Sequence, residues 1–330
     1  MPFFSRLAAL ALFVFSFPAL AEDLPRQPQY VIISFDSASF ISQWERSRAL
    51  GKRTGARFTY FLSCVYLLSP ETKGLYQAPG MKAGRSNIGF AASGEDVEAR
   101  LNQIWAARQE GHEIASHACG HYDGGKWSAA EWNKEFGQFR TILRDAWTIN
   151  AIPGEPEGWK DFSENGIKGF RAPYLSVGPA LSTALAKNGF DYDASTVSRG
   201  PAEPLHKGGI THFSLPLIPE GPAKKRVIAM DYNLYVRHSG GSEQPDDAAI
   251  FAERTFNAFR AAFDREYAGD RIPLQLGFHF TLMNNGAYWD ALERFAEEVC
   301  VKPDVRCVSY QQFLGETGAH SAGLRESANG

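Results

Sequence analysis

Short unbroken apolar runs alternate with longer segments of helical periodicity along most of the chain. Tyr30 to Phe35 reads Tyr-Val-Ile-Ile-Ser-Phe, a continuous run of the kind expected of a strand buried on both faces. Trp44 to Leu50 predicts a short helix with Gly51 as its stop, and Arg57 to Leu62 a second strand. Residues 64–92 hold proline, several glycines and few periodic apolar positions, and predict an inserted loop near the substrate. Ser93 with Asp96 resembles a capping box, after which Val97, Leu101, Ile104 and Trp105 recur at helical spacing. Gly111 closes that helix before a strand at Glu113 to Ser116. Ser128 with Glu131 opens another helix, whose Trp132, Phe136, Phe139 and Leu143 share a face. Further strands are expected at 168–172, 191–195, 211–217, 227–231, 273–280 and 305–310, with helices at 179–188, 246–267 and 287–299. Repeated strand–helix units predict a parallel barrel or a doubly wound sheet, with the chemistry at the C-terminal strand ends in either case.

The first segment stands apart from this pattern. Arg6 precedes an apolar run from Leu7 to Leu20, and Ala19-Leu20-Ala21 has the small-x-small form of a cleavage site. Residues 1–21 are therefore expected to be a signal peptide, 22–316 the barrel domain, and 317–330 a small, polar, disordered tail. The expected location is secreted or periplasmic. The chain of 330 residues carries a formal charge of −3, which becomes −4 on loss of Arg6. So mild a balance gives no reason to expect nucleic acid or an anionic membrane as partner, and suits a neutral substrate. The oligomeric state stays open. Export permits disulfides among Cys64, Cys119, Cys300 and Cys307: Cys300 with Cys307, and Cys64 with Cys119, are candidates to lie close, and spacing alone settles neither.

Polar residues cluster where predicted strands end. Asp36 ends the first strand, in Ser34-Phe35-Asp36-Ser37, where a carboxylate is costly without partners. His117 and His121 follow the third strand, four residues apart, and converge on one metal if the loop curls. Arg171 in Arg171-Ala172-Pro173-Tyr174 is able to orient a carboxylate, or to form a structural Arg–Asp pair. The N–H after Pro173 is placed to face a developing oxyanion. Asp231 ends the strand at 227–231. His279 ends Leu276-Gly277-Phe278-His279, as a core histidine or as a general acid held protonated by a carboxylate. Tyr122, Trp127, Tyr232, Tyr235 and Tyr288 are candidate faces for sugar rings.

The order of these motifs resembles the polysaccharide deacetylases of carbohydrate esterase family four, whose pattern runs T-F-D-D, H-[ST]-x-x-H, R-x-P-[YF], an Asp motif and L-x-H. The resemblance spans residues 30–314, and the stretches 111–117 and 169–175 look most like chitin deacetylases. It decides for a distorted (β/α) barrel over a doubly wound sheet. It implies a secreted hydrolase that removes acetyl groups, N-acetyl before O-acetyl, from a polysaccharide such as chitin oligomers, peptidoglycan or exopolysaccharide. It also implies a divalent metal, zinc before cobalt or nickel. Carried over by position, Asp36 is the base, Arg171 its orienting partner, and Tyr174 the oxyanion N–H donor. His279 is the general acid, Asp231 the group that tunes it, and His117 and His121 are metal ligands. The second acid of T-F-D-D, the third metal ligand in the family, is Ser37 here. Asp36 or Asp123 is then open to take its place; otherwise two histidines with waters hold the metal, and binding weaker than with an intact acid pair is expected. The L-x-H leucine has no match at Gly277. The alternative readings are a glycan-binding protein that kept the fold after losing the metal acid, and a hydrolase of another linear amide or acyl group.

Overall fold

The computed structural model describes residues 26–318, so the expected signal peptide and all of the tail beyond Gly318 lie outside the described residues. In chain order the elements are β1 (Gln29–Ser37), α1 (Ile41–Thr54), β2 (Thr59–Leu62), α2 (Gly94–Gln109), β3 (Glu113–Ser116), α3 (Ala129–Ile149), α4 (Trp159–Asn165), β4 (Gly169–Phe170), α5 (Leu181–Lys187), β5 (Tyr192–Ser198), β6 (Leu205–Lys207), β7 (Ile210–Glu220), β8 (Lys225–Ile228), α6 (Asp231–Ser239), α7 (Ala248–Ala268), β9 (Leu274–His279), α8 (Met283–Val299), β10 (Val305–Val308) and α9 (Tyr310–Thr317). The path β1-β2-β3-β4-β5-β7 is parallel throughout, and β9 runs parallel to β1 on its other side. The sheet curls into a distorted barrel that closes through Ala229 and Met230. Ala229 donates its N–H to Pro216 O at 2.9 Å and accepts the Gly277 N–H at 2.9 Å, and Met230 bridges Gly277 in parallel. Antiparallel β6 and β8 flank β7 outside this ring.

Alternation along β1 sorts its residues between two apolar compartments. Val31, Ile33 and Phe35 pack with Trp44, Leu50 and Trp289 against the helical layer. Ile32 packs with Phe61, Tyr192, Phe213 and Tyr310 within the barrel. Successive side chains on a strand point to opposite faces, so Ser34 and Asp36 continue the inward row. The register pairs Asp36 with His279 on β9 and with Phe61 on β2. The pattern therefore delivers an aspartate and a histidine side by side at the C-terminal rim of the barrel.

Several expected boundaries move. The first helix does not stop at Gly51: it runs from Ile41 to Thr54 and ends at Gly55, which takes φ 74°. Gly51 serves packing instead, because a β-carbon there would approach within 2.7 Å of the His112 ring. The segment 227–231 divides into β8 and the start of α6, so Asp231 opens a helix rather than ending a strand. Helix α4, strand β6, helix α6 and helix α9 escape the sequence reading, and α9 carries helix to Thr317, inside the stretch expected to be tail. Both capping boxes of the structure, at Ser128/Glu131 and Ser309/Gln312, are complete. At Ser93 only the forward bond, from the Asp96 N–H, is made.

Cys64 pairs with Cys119 and Cys300 with Cys307. The first bridge ties the exit of β2 to the loop after β3. Replacing Cys64 and Cys119 together by alanine is expected to lower the unfolding free energy by about 2–4 kcal/mol, read by guanidinium denaturation. An unchanged midpoint would mean that the bridge constrains nothing in the unfolded chain.

Candidate active site

Asp36 is 2% exposed at the top of the inward row of β1. Its Oδ1 accepts a hydrogen bond of 2.8 Å from Arg171 Nη1. Arg171, wholly buried, is held from every side. Its Nε donates to Ala194 O at 3.0 Å, Nη1 also to Ser34 Oγ at 2.9 Å, and Nη2 to the Tyr310 hydroxyl at 2.9 Å. The guanidinium lies 4.3 Å from the Phe61 ring centroid. Burial, the largest single influence, pushes the Asp36 carboxyl up, but the Arg171 charge and hydrogen bond together with the neighbouring His117 and His279 outweigh it and hold the group below the usual carboxylate range. Asp36 is thus an ionised carboxylate in a dry setting. The Arg–Asp pair foreseen for Arg171 is present, and it points the carboxylate at the pocket.

His117 stands at the exit of β3, 1% exposed. Its Nδ1 lies 2.8 Å from Arg171 O, an acceptor, so Nδ1 carries the proton and Nε2 a free lone pair. That Nε2 is buried without a hydrogen-bond partner, and so is His121 Nδ1. Burial drives His117 down to about 3 and lowers His121 as well, so both imidazoles are neutral at physiological pH. The two rings lie 5.1 Å apart, and His121 also meets the Tyr174 ring at 4.6 Å. Two neutral imidazoles with orphaned buried nitrogens fit two ligand positions of a borderline cation such as zinc. The third position is less well supplied. Ser37 lines the pocket with a neutral hydroxyl. Asp123 is exposed, folds its Oδ1 back onto the Gly125 N–H at 2.9 Å and takes no part in the pocket wall. Among the described residues no group of three His, Cys, Asp or Glu side chains is arranged to hold a metal.

On the strand beside Asp36, His279 Nδ1 meets Asp231 Oδ1 at 2.7 Å, while the His279 main-chain N–H donates to Asp231 Oδ2 at 2.7 Å. Asp231 is wholly buried and also accepts the Tyr232 N–H at 2.6 Å. Burial, the largest single influence, lowers the imidazole's affinity for a proton, but the charge and hydrogen bond of Asp231 together with the Asp36 charge outweigh it and raise His279 above its ordinary value. Asp36 and His279, neighbours on paired strands, are therefore pushed in opposite directions.

That cavity measures about 500 Å³ and includes Asp36, Ser37, His117, His121, Tyr174 and His279 in its lining. Arg171 and Asp231 lie directly behind it. The turn at Tyr174 takes φ 58°. It is closed by the N–H groups of Leu175 and Ser176 onto Ala172 O and Pro173 O, and anchored by the Ala172 N–H on Ser195 Oγ at 2.7 Å. Those bonds do not use the Tyr174 N–H. Of the expected aromatic faces, Tyr232 alone lines the pocket, Tyr235 and Tyr288 are buried, and Trp127 packs on Trp132. Phe40, Tyr66 and the Tyr174 ring line it unforeseen. Phe40 had a signal in the sequence: a large apolar residue outside any periodic run, four positions past Asp36. Tyr66 and Ile88 come from the 64–92 insertion, which does border the pocket as expected.

A curled parallel barrel with this rim defines a class of deacetylase-fold proteins, and comparison with solved structures agrees. The chain superposes on a probable polysaccharide deacetylase from Pseudomonas aeruginosa PAO1 with a TM-score of 0.53 and 15% identity, covering 88% of this chain and 89% of that one. It superposes on an allantoinase with a TM-score of 0.53 and 16% identity, covering 91% and 92%. The fold is that of the polysaccharide deacetylases, as the motif order implied. In sequence, the chain is 26% identical over 221 residues to a chitin deacetylase 1 of Bombyx mori. The match takes in 59% of this chain and 38% of that protein, so the chain spans well under half of its curated relative's length. No family model matches.

Proposed function

We propose that the protein is an exported hydrolase that removes acetyl groups from a neutral N-acetylated carbohydrate. The observation that carries this reading is the pairing of Asp36–Arg171 with Asp231–His279 at neighbouring positions on the rim of one cavity, since environments that push two titratable groups apart assign base and acid. Asp36 accepts the proton of a water that attacks the acetyl carbonyl. Arg171 fixes the carboxylate's direction and keeps it ionised. The Tyr174 N–H faces the oxyanion, and His279, held by Asp231, gives a proton to the departing amine. His117 and His121 hold a divalent ion, zinc before cobalt or nickel, which when bound supplies Lewis-acid polarisation and a more acidic water. With Ser37 in the acid position, that ion is held weakly. Outside the catalytic floor the wall is apolar, through Phe40, Tyr66, Ile88, Leu175, Met230 and Tyr232. Such a wall suits a neutral sugar face, whether of chitin oligomers, peptidoglycan or exopolysaccharide. Among the described residues no helix is long and apolar enough to cross a membrane.

Ser37 also favours a second reading, a glycan-binding protein that has lost turnover. One assay separates the two: acetate and free amine released from acetylated oligosaccharides, with and without chelator, beside calorimetric zinc titration of the wild type and Ser37→Asp. The proposal expects acetate release that chelator suppresses. It also expects Ser37→Asp to tighten zinc binding at least about tenfold, the scale on which even indirect ligand partners act. Binding of oligosaccharide without acetate release would favour the second reading. Undiminished release with chelator, and no zinc bound at millimolar concentration, would remove the metal from the scheme.

A further inference from the structure

The loop carrying both histidines is held against the preference of its own backbone. Ala118 takes φ 57° and His121 φ 55°, the left-handed region that residues with a β-carbon avoid. Strain of this kind persists only where the surroundings over-determine it, and here the surroundings are specific. Glu135 on α3, 1% exposed, sends its carboxylate under the loop. Its Oε1 accepts the Cys119 N–H at 2.9 Å. The Tyr76 hydroxyl donates to the same carboxylate, 2.9 Å from Oε1 and 3.2 Å from Oε2, and accepts the Gly120 N–H at 3.0 Å. A β-carbon on Gly120 would come within 2.6 Å of the Tyr76 ring, so the loop is pressed directly onto this pair. The Cys64–Cys119 bridge secures the same residue covalently.

Neither Glu135 nor Tyr76 lines the pocket, and no step of the proposed reaction uses them. A buried carboxylate is costly unless its partners are well placed, and the partners here are the Cys119 N–H and the Tyr76 hydroxyl, which in turn accepts the N–H of Gly120, the residue just before His121. We propose that Glu135, with Tyr76, is the positioning residue of the histidine pair: it fixes the turn that aims the orphaned nitrogens of His117 and His121 into the pocket. The role rests on the reading of that pair as part of the working site.

The test is histidine-ring NMR on full-length protein, with acetate release measured in parallel, for wild type, Glu135→Gln, Glu135→Ala and Tyr76→Phe. Glu135→Ala is expected to shift or double the ring signals of His117 and His121 while those of His206 and His212, on β6 and β7, stay in place. It should lower kcat by about tenfold or more, the scale of lost ligand support, with KM within threefold. Glu135→Gln keeps an acceptor for the Cys119 N–H and should restore most of both. Tyr76→Phe, which removes the Gly120 acceptor, gives an independent reading if Glu135→Ala does not fold. Unmoved His117 and His121 signals in Glu135→Ala, or in Tyr76→Phe where the alanine variant does not fold, would overturn the proposal. Displaced signals in a protein whose wild type releases no acetate would uphold the positioning role and count against the catalytic reading alone.

Discussion

Asp36→Asn is expected to lower kcat for acetate release by about 10²–10⁴-fold, the range typical of a lost general base, with a much smaller change in KM. The carboxylate is the ionised group of the cavity that the Arg171 guanidinium aims and holds charged, and an amide of the same shape cannot take up the water's proton. The substitution also leaves Arg171 as a buried charge without its counter-ion, although Ser34, Ala194 and Tyr310 still accept its hydrogen bonds. Breaking such a pair from one side costs about 3–5 kcal/mol, so rates should be normalised to folded protein by circular dichroism at the assay temperature. A folded Asp36→Asn protein that keeps more than a tenth of wild-type kcat would remove Asp36 from the role of base.

The second large effect concerns the acid. His279 is protonated below its raised pKa, and that form is lost as pH rises through it, so the rate should fall on the alkaline side at a pH above the ordinary histidine value. Asp231→Asn removes the largest of the influences that together outweigh burial. The imidazole's pKa then falls and the alkaline limb moves to lower pH. His279→Ala removes the donor itself and is expected to cost about 10²–10⁴-fold in kcat. Because Asp231 acts through His279, at two bonds of 2.7 Å, the double variant should be little worse than His279→Ala alone. Multiplying losses would show that Asp231 contributes by another route. The same pH profiles should show no shift of the alkaline limb in Asp36→Asn beyond what the loss of its charge near His279 produces, which is itself downward.

Much of the rim was legible because parallel barrels concentrate chemistry at one place in the sequence, the residue or two after each apolar run. Asp36, His117, Arg171 and His279 all follow that rule: the ends of β1, β3 and β9 bring Asp36, His117 and His279 into one cavity of about 500 Å³, and Arg171, just after β4, bonds to Asp36 from behind it. Asp231 was found for the same reason although it opens α6, since the end of β8 and the start of that helix share one short bend. The choice between barrel and doubly wound sheet was not in the periodicity. It rests on closure through Ala229, Met230 and Gly277, three main-chain contacts with no side-chain signature.

What escaped were partners distant in sequence. Tyr310 reaches Arg171 across 139 positions, and Ser34 across 137. Glu135 looked like any polar residue of an amphipathic helix. Asp123 is near His121 along the chain, yet its side chain lies exposed and folds back onto the Gly125 N–H, away from the pocket wall. Gly51 was read as a helix stop because glycine does end helices. Its actual reason, room for the His112 ring, lies in the turn between α2 and β3, far along the chain.

The most direct measurement of the central claim is product analysis of wild type and Asp36→Asn on N-acetylglucosamine oligomers in heavy-oxygen water. Hydrolysis by a water activated at Asp36 predicts equal amounts of acetate and free amine from the wild type. One labelled oxygen should appear in the acetate and none in the sugar, with both products nearly absent from the variant. Oligomers recovered fully acetylated from the wild type, with metal supplied, would contradict it.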